Sequence, residues 1–212
     1  MDERFKLHDQ RDLRAAWAAF HSVCRNALTC DRPLRRSGSG VILFVGQVEF
    51  DEEQYRLIEA AARADGDTDA YLSFLNGYEG DDGEDGGAGP LFEPRDHYRF
   101  NLRVFPPRDF DEWFPFGEHV IYSPRGTWAV MTSLERHAIA IGSSNFRSTL
   151  VGSPLFSASL AKVLERWTHA RDRLGGRTSW IPALLDNVYG AEEADRLLTE
   201  FGEPREKWLR LH

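Results

Sequence analysis

Residues 116–152 read FGEHVIYSPRGTWAVMTSLERHAIAIGSSNFRSTLVG. The stretch predicts short antiparallel strands followed by a helix. Ser123-Pro124-Arg125-Gly126 places proline at a favoured turn position and glycine at the turn's end. Residues 127–132 and 137–141 then form a hairpin around 133–136. If Thr132 pairs with His137, Val130 faces Ile139 and Trp128 faces Ile141, because side chains alternate along a strand. That register gathers Trp128, Val130, Ile139 and Ile141 on one face and leaves Ala129, Met131, Ala138 and Ala140 on the other. A sheet wetted on one side carries polar residues there. Both faces here are apolar, so the sheet is expected to be covered on both sides, with the alanines letting a helix come close. Gly142-Ser143-Ser144 supplies a turn and an N-cap for a helix near 145–150. On the other side, residues 119–122 form a strand in which Ile121 opposes Trp128 and His119 opposes Val130.

Upstream, Leu13, Trp17, Phe20, Cys24 and Leu28 recur at three- and four-residue steps and predict a helix over 10–29, stopped by Asp31-Arg32-Pro33. Residues 41–45, VILFV, form a continuous apolar run expected of a central strand. Asp51 and Gln54 form an approximate capping box for a helix over 51–64, with Tyr55, Ile58, Ala61 and Ala62 inward and Asp65-Gly66-Asp67 at its end. Residues 70–75 fit either a strand or a helical turn. Residues 76–90, NGYEGDDGEDGGAGP, predict a mobile acidic loop rich in glycine. In residues 97–105, Tyr98, Phe100, Leu102 and Val104 alternate with Arg99, Asn101 and Arg103. This marks a half-exposed strand near an edge, stopped by Pro106-Pro107.

Downstream, Ser153-Pro154 starts a long helix to 174 with a capping serine and proline at its first position. Two short helices follow at 180–188 and 192–201, and Trp208 docks the tail. The chain is therefore expected to be a single α+β domain over residues 1–212. Its mainly antiparallel sheet has about five strands (41–45, 98–105, 119–122, 127–132 and 137–141) covered by helices. Trp128, Ile139 and Phe44 are expected to be buried.

Composition excludes several classes. Apolar residues make up 42% of the 212-residue chain and the net charge is -8, which argues for a globular protein and against a nucleic-acid binder. No apolar run approaches the roughly 20 residues of a membrane helix. The start, MDERFKLHDQRDLRAAW, lacks the apolar core of a secretory signal, so the expected location is cytoplasmic. His21, Cys24 and Cys30 lack the spacing and the fourth ligand of a zinc site, and Cys24 reads as a buried small residue. Gly38-Ser39-Gly40 runs from a loop into a strand, the wrong order for a phosphate cradle. The acidic loop does not match a calcium-binding hand. No Gly-x-Ser-x-Gly or His-Glu-x-x-His occurs. No cofactor and no metal is expected.

Two functional readings remain. One is an enzyme of hydrolase type, with His97, His119 and His137 converging beside Asp109, Asp111 and Glu118 for acid–base or metal chemistry; histidines at strand ends are otherwise solvated. The other is a non-catalytic binding protein. Its candidate surface is Asp109, Phe110, Asp111, Glu112, Trp113, Phe116 and Glu118, where acids that steer a basic protein partner stand among the aromatics that anchor interfaces. The same aromatics could instead fill the core while the acids face water. Trp128-x-Val130-x-Thr132, a tight turn, Ala138-x-Ala140-x-Gly142 and then Phe146 resemble the sheet-and-helix ending of small bacterial immunity-type and uncharacterised cytoplasmic proteins. The resemblance spans residues 117–150. It implies a protein that binds and neutralises a cognate toxin, with no functional residue carried over. Other protein-interaction roles stay open, as does the oligomeric state.

Overall fold

A computed structural model describes residues 5–25, 32–45, 50–78, 91–104, 118–133, 136–174 and 178–209. The helices are α1 (Gln10–Val23), α2 (Glu52–Ala64), α3 (Ser144–Val151), α4 (Ser159–Leu174), α5 (Ile181–Tyr189), α6 (Ala191–Glu200) and α7 (Arg205–Trp208). The strands are β1 (Gly40–Phe44), β2 (Asp69–Tyr78), β3 (Leu91–Asn101), β4 (Glu118–Tyr122), β5 (Ala129–Ser133) and β6 (His137–Ile141). They form one sheet of six strands, ordered β1-β6-β5-β4-β2-β3, and every neighbouring pair is antiparallel. The fold is α+β, with one strand more than the sequence predicts. The extra strand is β2, whose core is the ambiguous 70–75 run.

Helices cover both faces. On one face α1, α4, α5, α6 and α7 pack over Ile42, Tyr71, Val120, Tyr122, Ala129, Met131, Ile139 and Ile141. On the other, α2 and α3 pack over Leu43, Leu72, Ile121, Trp128, Val130, Ala138 and Ala140. Trp128 is fully buried and stacks on Phe146, with ring centroids 5.1 Å apart.

The local signals hold well. Asp51 accepts from Gln54 N while Gln54 Oε1 accepts from Asp51 N, a complete capping box. Ser143 caps α3 through Phe146 N, and Ser153 caps a 3-10 turn, Pro154–Phe156. That turn is separate from α4 because Ala158 adopts a positive φ of 53°, so the single helix expected over 153–174 is broken. Helix α1 ends at Val23 rather than at 29: Cys24 turns extended and bridges Leu34. Strand β3 stops at Asn101, and Leu102–Val104 form a 3-10 turn.

The hairpin register differs from the expected one by a single residue. Ser133 pairs with His137 and Ala129 with Ile141, closing a loop of three residues with Arg136 at φ 58°. Trp128 and Val130 therefore share a face with Ala138 and Ala140, and Ile139 and Ile141 lie on the opposite face. Strand β4 is offset from expectation by two: Ile121 opposes Val130, which leaves its faces unchanged.

The run at 41–45 is an edge, not a centre. Among the described residues strand β1 pairs only with β6, and the Tyr189 hydroxyl accepts the hydrogen bond from Ile42 N at 2.9 Å on its outer side. Phe44, expected to be buried, is only half-buried against Lys162. The opposite edge, β3, is covered by residues 5–7. Leu7 N donates to His97 O and Arg99 N to Phe5 O, with Lys6 bridging Tyr98. Both edges are thus blocked against further strand pairing at these positions.

Candidate functional site

The three histidines are buried at 1%, 0% and 3% exposure for His97, His119 and His137, so none is a solvated strand end. They also do not converge. His97 and His137 lie on the α1 face, but four strand spacings separate β3 from β6, roughly 19 Å. His119 lies on the opposite face, with Ile121.

Each occupies its own packing site. His119 Nδ1 is 3.1 Å from Thr132 Oγ1, which accepts His119 N at 3.0 Å, and its Nε2 is 3.4 Å from the Tyr55 hydroxyl. His137 packs edge-on against Trp167 and stacks on Trp180. His97 has the most polar surroundings. Its Nδ1 is 2.7 Å from Ser73 Oγ and 2.9 Å from the Tyr122 hydroxyl, which are themselves 3.0 Å apart. Burial holds the His97 imidazole down to about 4; nearby His21 lowers it further and Asp96 opposes the shift. Burial also raises Tyr122 above the usual phenol range. Ser73, His97 and Tyr122 are all buried, and burial favours the neutral imidazole and the protonated phenol. Cys24 is equally sealed, with its thiol pushed up to about 12 by burial.

A second polar centre sits where α2 enters β2. Asp67, 6% exposed, accepts from Ser123 Oγ at 2.6 Å, Arg125 Nε at 2.7 Å and Trp128 Nε1 at 2.7 Å. Asp65 accepts from Ser143 Oγ at 2.5 Å, and its carbonyl takes Arg125 Nη2 at 2.6 Å. The 123–126 turn is thereby tied to the end of α2. Beside it opens a cavity of about 280 Å³ lined by Arg63, Gly66, Asp67, Thr68 and Arg103. Its guanidinium groups share the lining with a carboxylate and the carbonyl end of α2, so its charge is mixed. Among the described residues, no group of three or more His, Cys, Asp or Glu could hold a metal ion, and no helix is long and apolar enough to cross a membrane.

Of the acidic–aromatic segment, Asp109, Phe110, Asp111, Glu112, Trp113 and Phe116 lie outside the described residues, as do 79–90 of the acidic loop, whose first residues, 76–78, belong to β2. Glu118 opens β4 half-buried, opposite Leu75. Asn101 pairs with Asp69 at the start of β2, and Glu118 pairs with Leu75 farther along it.

Sequence reasoning missed Ser73, Tyr122, Asp67 and Arg125. Ser73 carried a signal, a lone hydroxyl inside the apolar run AYLSFL. Asp67 carried none, since an acid after a helix reads as a terminator. Compared with family models, curated proteins and solved structures, the chain returns no match.

Proposed function

We propose that this chain is a non-catalytic binding protein that acts on a basic protein partner, in the manner of an immunity-type inhibitor that occludes a toxin. The observation that supports this most is the dispersal of His97, His119 and His137 into separate sealed sites, which removes the constellation on which the enzyme alternative rested. The net charge of -8 adds long-range attraction for a cation-rich surface. The contact surface we assign is Asp109, Phe110, Asp111, Glu112, Trp113, Phe116 and Glu118, with Trp113 as anchor.

The test is affinity capture on the intact chain across a salt series, followed by binding kinetics with the recovered partner. The reading requires a basic partner whose association slows as salt rises from about 50 to 300 mM. Trp113→Ala should weaken binding by roughly 30-fold, corresponding to about 2 kcal/mol, without changing the unfolding midpoint. A partner indifferent to salt, or a Trp113→Ala chain that loses stability instead of affinity, would overturn the assignment.

A further inference from the structure

We propose that the cavity between the end of α2 and the 102–104 turn is a binding site for a small organic phosphate, held by Arg63 and Arg103 together with the amide and hydroxyl of Thr68.

Two turns build the site. Helix α2 ends on a glycine cap: Gly66 takes a φ of 93°, its N donates to Arg63 O at 3.0 Å, and Asp67 N donates to Ala62 O at 3.1 Å. The chain then enters β2. Leu102 N donates to Thr68 O at 2.9 Å, which holds the 3-10 turn beside this entry, and Arg103 N donates to Asn101 Oδ1 at 3.0 Å. Arg63 from the last turn of α2 and Arg103 from the 3-10 turn thus join Gly66, Asp67 and Thr68 around a cavity of about 280 Å³.

In this mixed lining the negative groups are committed and the cations are not. Asp67 accepts from Ser123, Arg125 and Trp128 at 2.6–2.7 Å, and the Arg125 guanidinium balances its charge. Carbonyls at the end of a helix repel anions when they are bare. Here Ala61 O accepts Asp65 N, Ala62 O and Arg63 O accept the two cap bonds, and Asp65 O accepts Arg125 Nη2. The Asp65 carboxylate accepts from Ser143 and Thr127.

The two arginines differ from the paired ones elsewhere. Arg99, Arg125, Arg171, Arg196 and Arg205 each hold a carboxylate at 2.6–2.9 Å. Among the described residues the Arg103 side chain has no hydrogen bond or ion pair. The Arg63 side chain reaches Glu59 at 3.5 Å, and Glu59 is shared with Arg56 at 3.2 Å. Thr68 uses its carbonyl, while its amide and hydroxyl donate to no group among the described residues.

This donor set selects the ligand class. A carboxylate has two oxygens in one plane, and a single guanidinium fork satisfies it. Two forks from different elements, with an N–H and an O–H besides, match an anion whose oxygens spread in a tetrahedron, such as a phosphate monoester. The cavity is just below the roughly 300–1,000 Å³ of most ligand pockets, so it suits a phosphate with a body of a few carbons rather than a nucleotide. The net charge of -8 opposes anions at long range, so recognition rests on contact with the two arginines. The chemistry is distinct from that of the acidic surface assigned to a protein partner, and either assignment can fail alone.

Amide NMR of the intact chain near neutral pH, titrated at constant ionic strength with glycerol phosphate, inorganic phosphate, acetate and chloride, tests this. Saturable shifts should centre on Gly66, Thr68 and Arg103. Both phosphates should bind, with acetate and chloride at least about tenfold weaker. Arg103→Gln and Arg63→Gln should each weaken glycerol phosphate binding by about tenfold or more. Both side chains are exposed, so the unfolding midpoints should stay unchanged. Arg196→Gln, on α6, should bind as the wild type does. Shifts that never saturate, shifts centred on residues 32–36, acetate binding equal to phosphate, or inorganic phosphate binding without glycerol phosphate would each overturn the assignment, as would full affinity in Arg103→Gln.

Discussion

Replacing Asp67 by alanine should be among the costliest single changes in the protein. The carboxylate is the common acceptor for Ser123 Oγ, Arg125 Nε and Trp128 Nε1. Ser123 and Trp128 are 0% exposed, so their donors have no water to turn to. Leaving a buried donor unsatisfied costs about 1–3 kcal/mol each. Arg125 is 52% exposed and finds water readily, so its share is under about 1 kcal/mol. The sum is roughly 2–7 kcal/mol, a large part of a typical domain's stability. Urea unfolding followed by tryptophan fluorescence measures it, with Arg125→Ala as the comparison at under about 1 kcal/mol. A loss below about 1 kcal/mol for Asp67→Ala, or equal losses for the two variants, would refute the view that Asp67 is the buried tie between the 123–126 turn and α2.

Other substitutions probe separate links. Gly126 has φ 65°, and a Cβ there would lie 1.9 Å from Ser22 Oγ and 3.1 Å from Ala19 O, so Gly126→Ala should push α1 away and cost more than about 2 kcal/mol in the same assay. Trp128→Ala should cost about 3–5 kcal/mol by emptying the stack on Phe146; a loss under about 1 kcal/mol would place the residue outside the core. Cys24, with its thiol near 12, should resist a thiol reagent at pH 8 until the chain unfolds. Because the unfolded thiol ionises first, Cys24 also makes stability fall as pH rises above about 9; fast labelling of the native protein would contradict its burial.

What the sequence made legible was local. The capping box at Asp51–Gln54, the Ser143 cap and the alternation from His97 to Asn101 each depend on residues a few positions apart, and each stands in the structure. The hairpin slipped by one residue because both of its faces are apolar, which removes the polarity signal that fixes register. Arg136 in the left-handed region closes a three-residue loop, and no glycine marks that position. The run 41–45 reads as a central strand because an edge covered by α4, α5 and Tyr189 is as apolar as a centre. The polar sites were least visible: Ser73 meets Tyr122 across 49 residues, and Asp67 meets Trp128 across 61.

The account turns on the histidines being three separate posts in the fold. Nitrogen-15 spectra of the histidine rings, recorded with and without one equivalent of zinc, measure this directly. The prediction is three independent signal sets, unmoved by zinc, with His97 neutral at pH 6. A concerted shift of His97, His119 and His137 on adding zinc, or a shared titration among them, would contradict the separation and return the enzyme reading to first place.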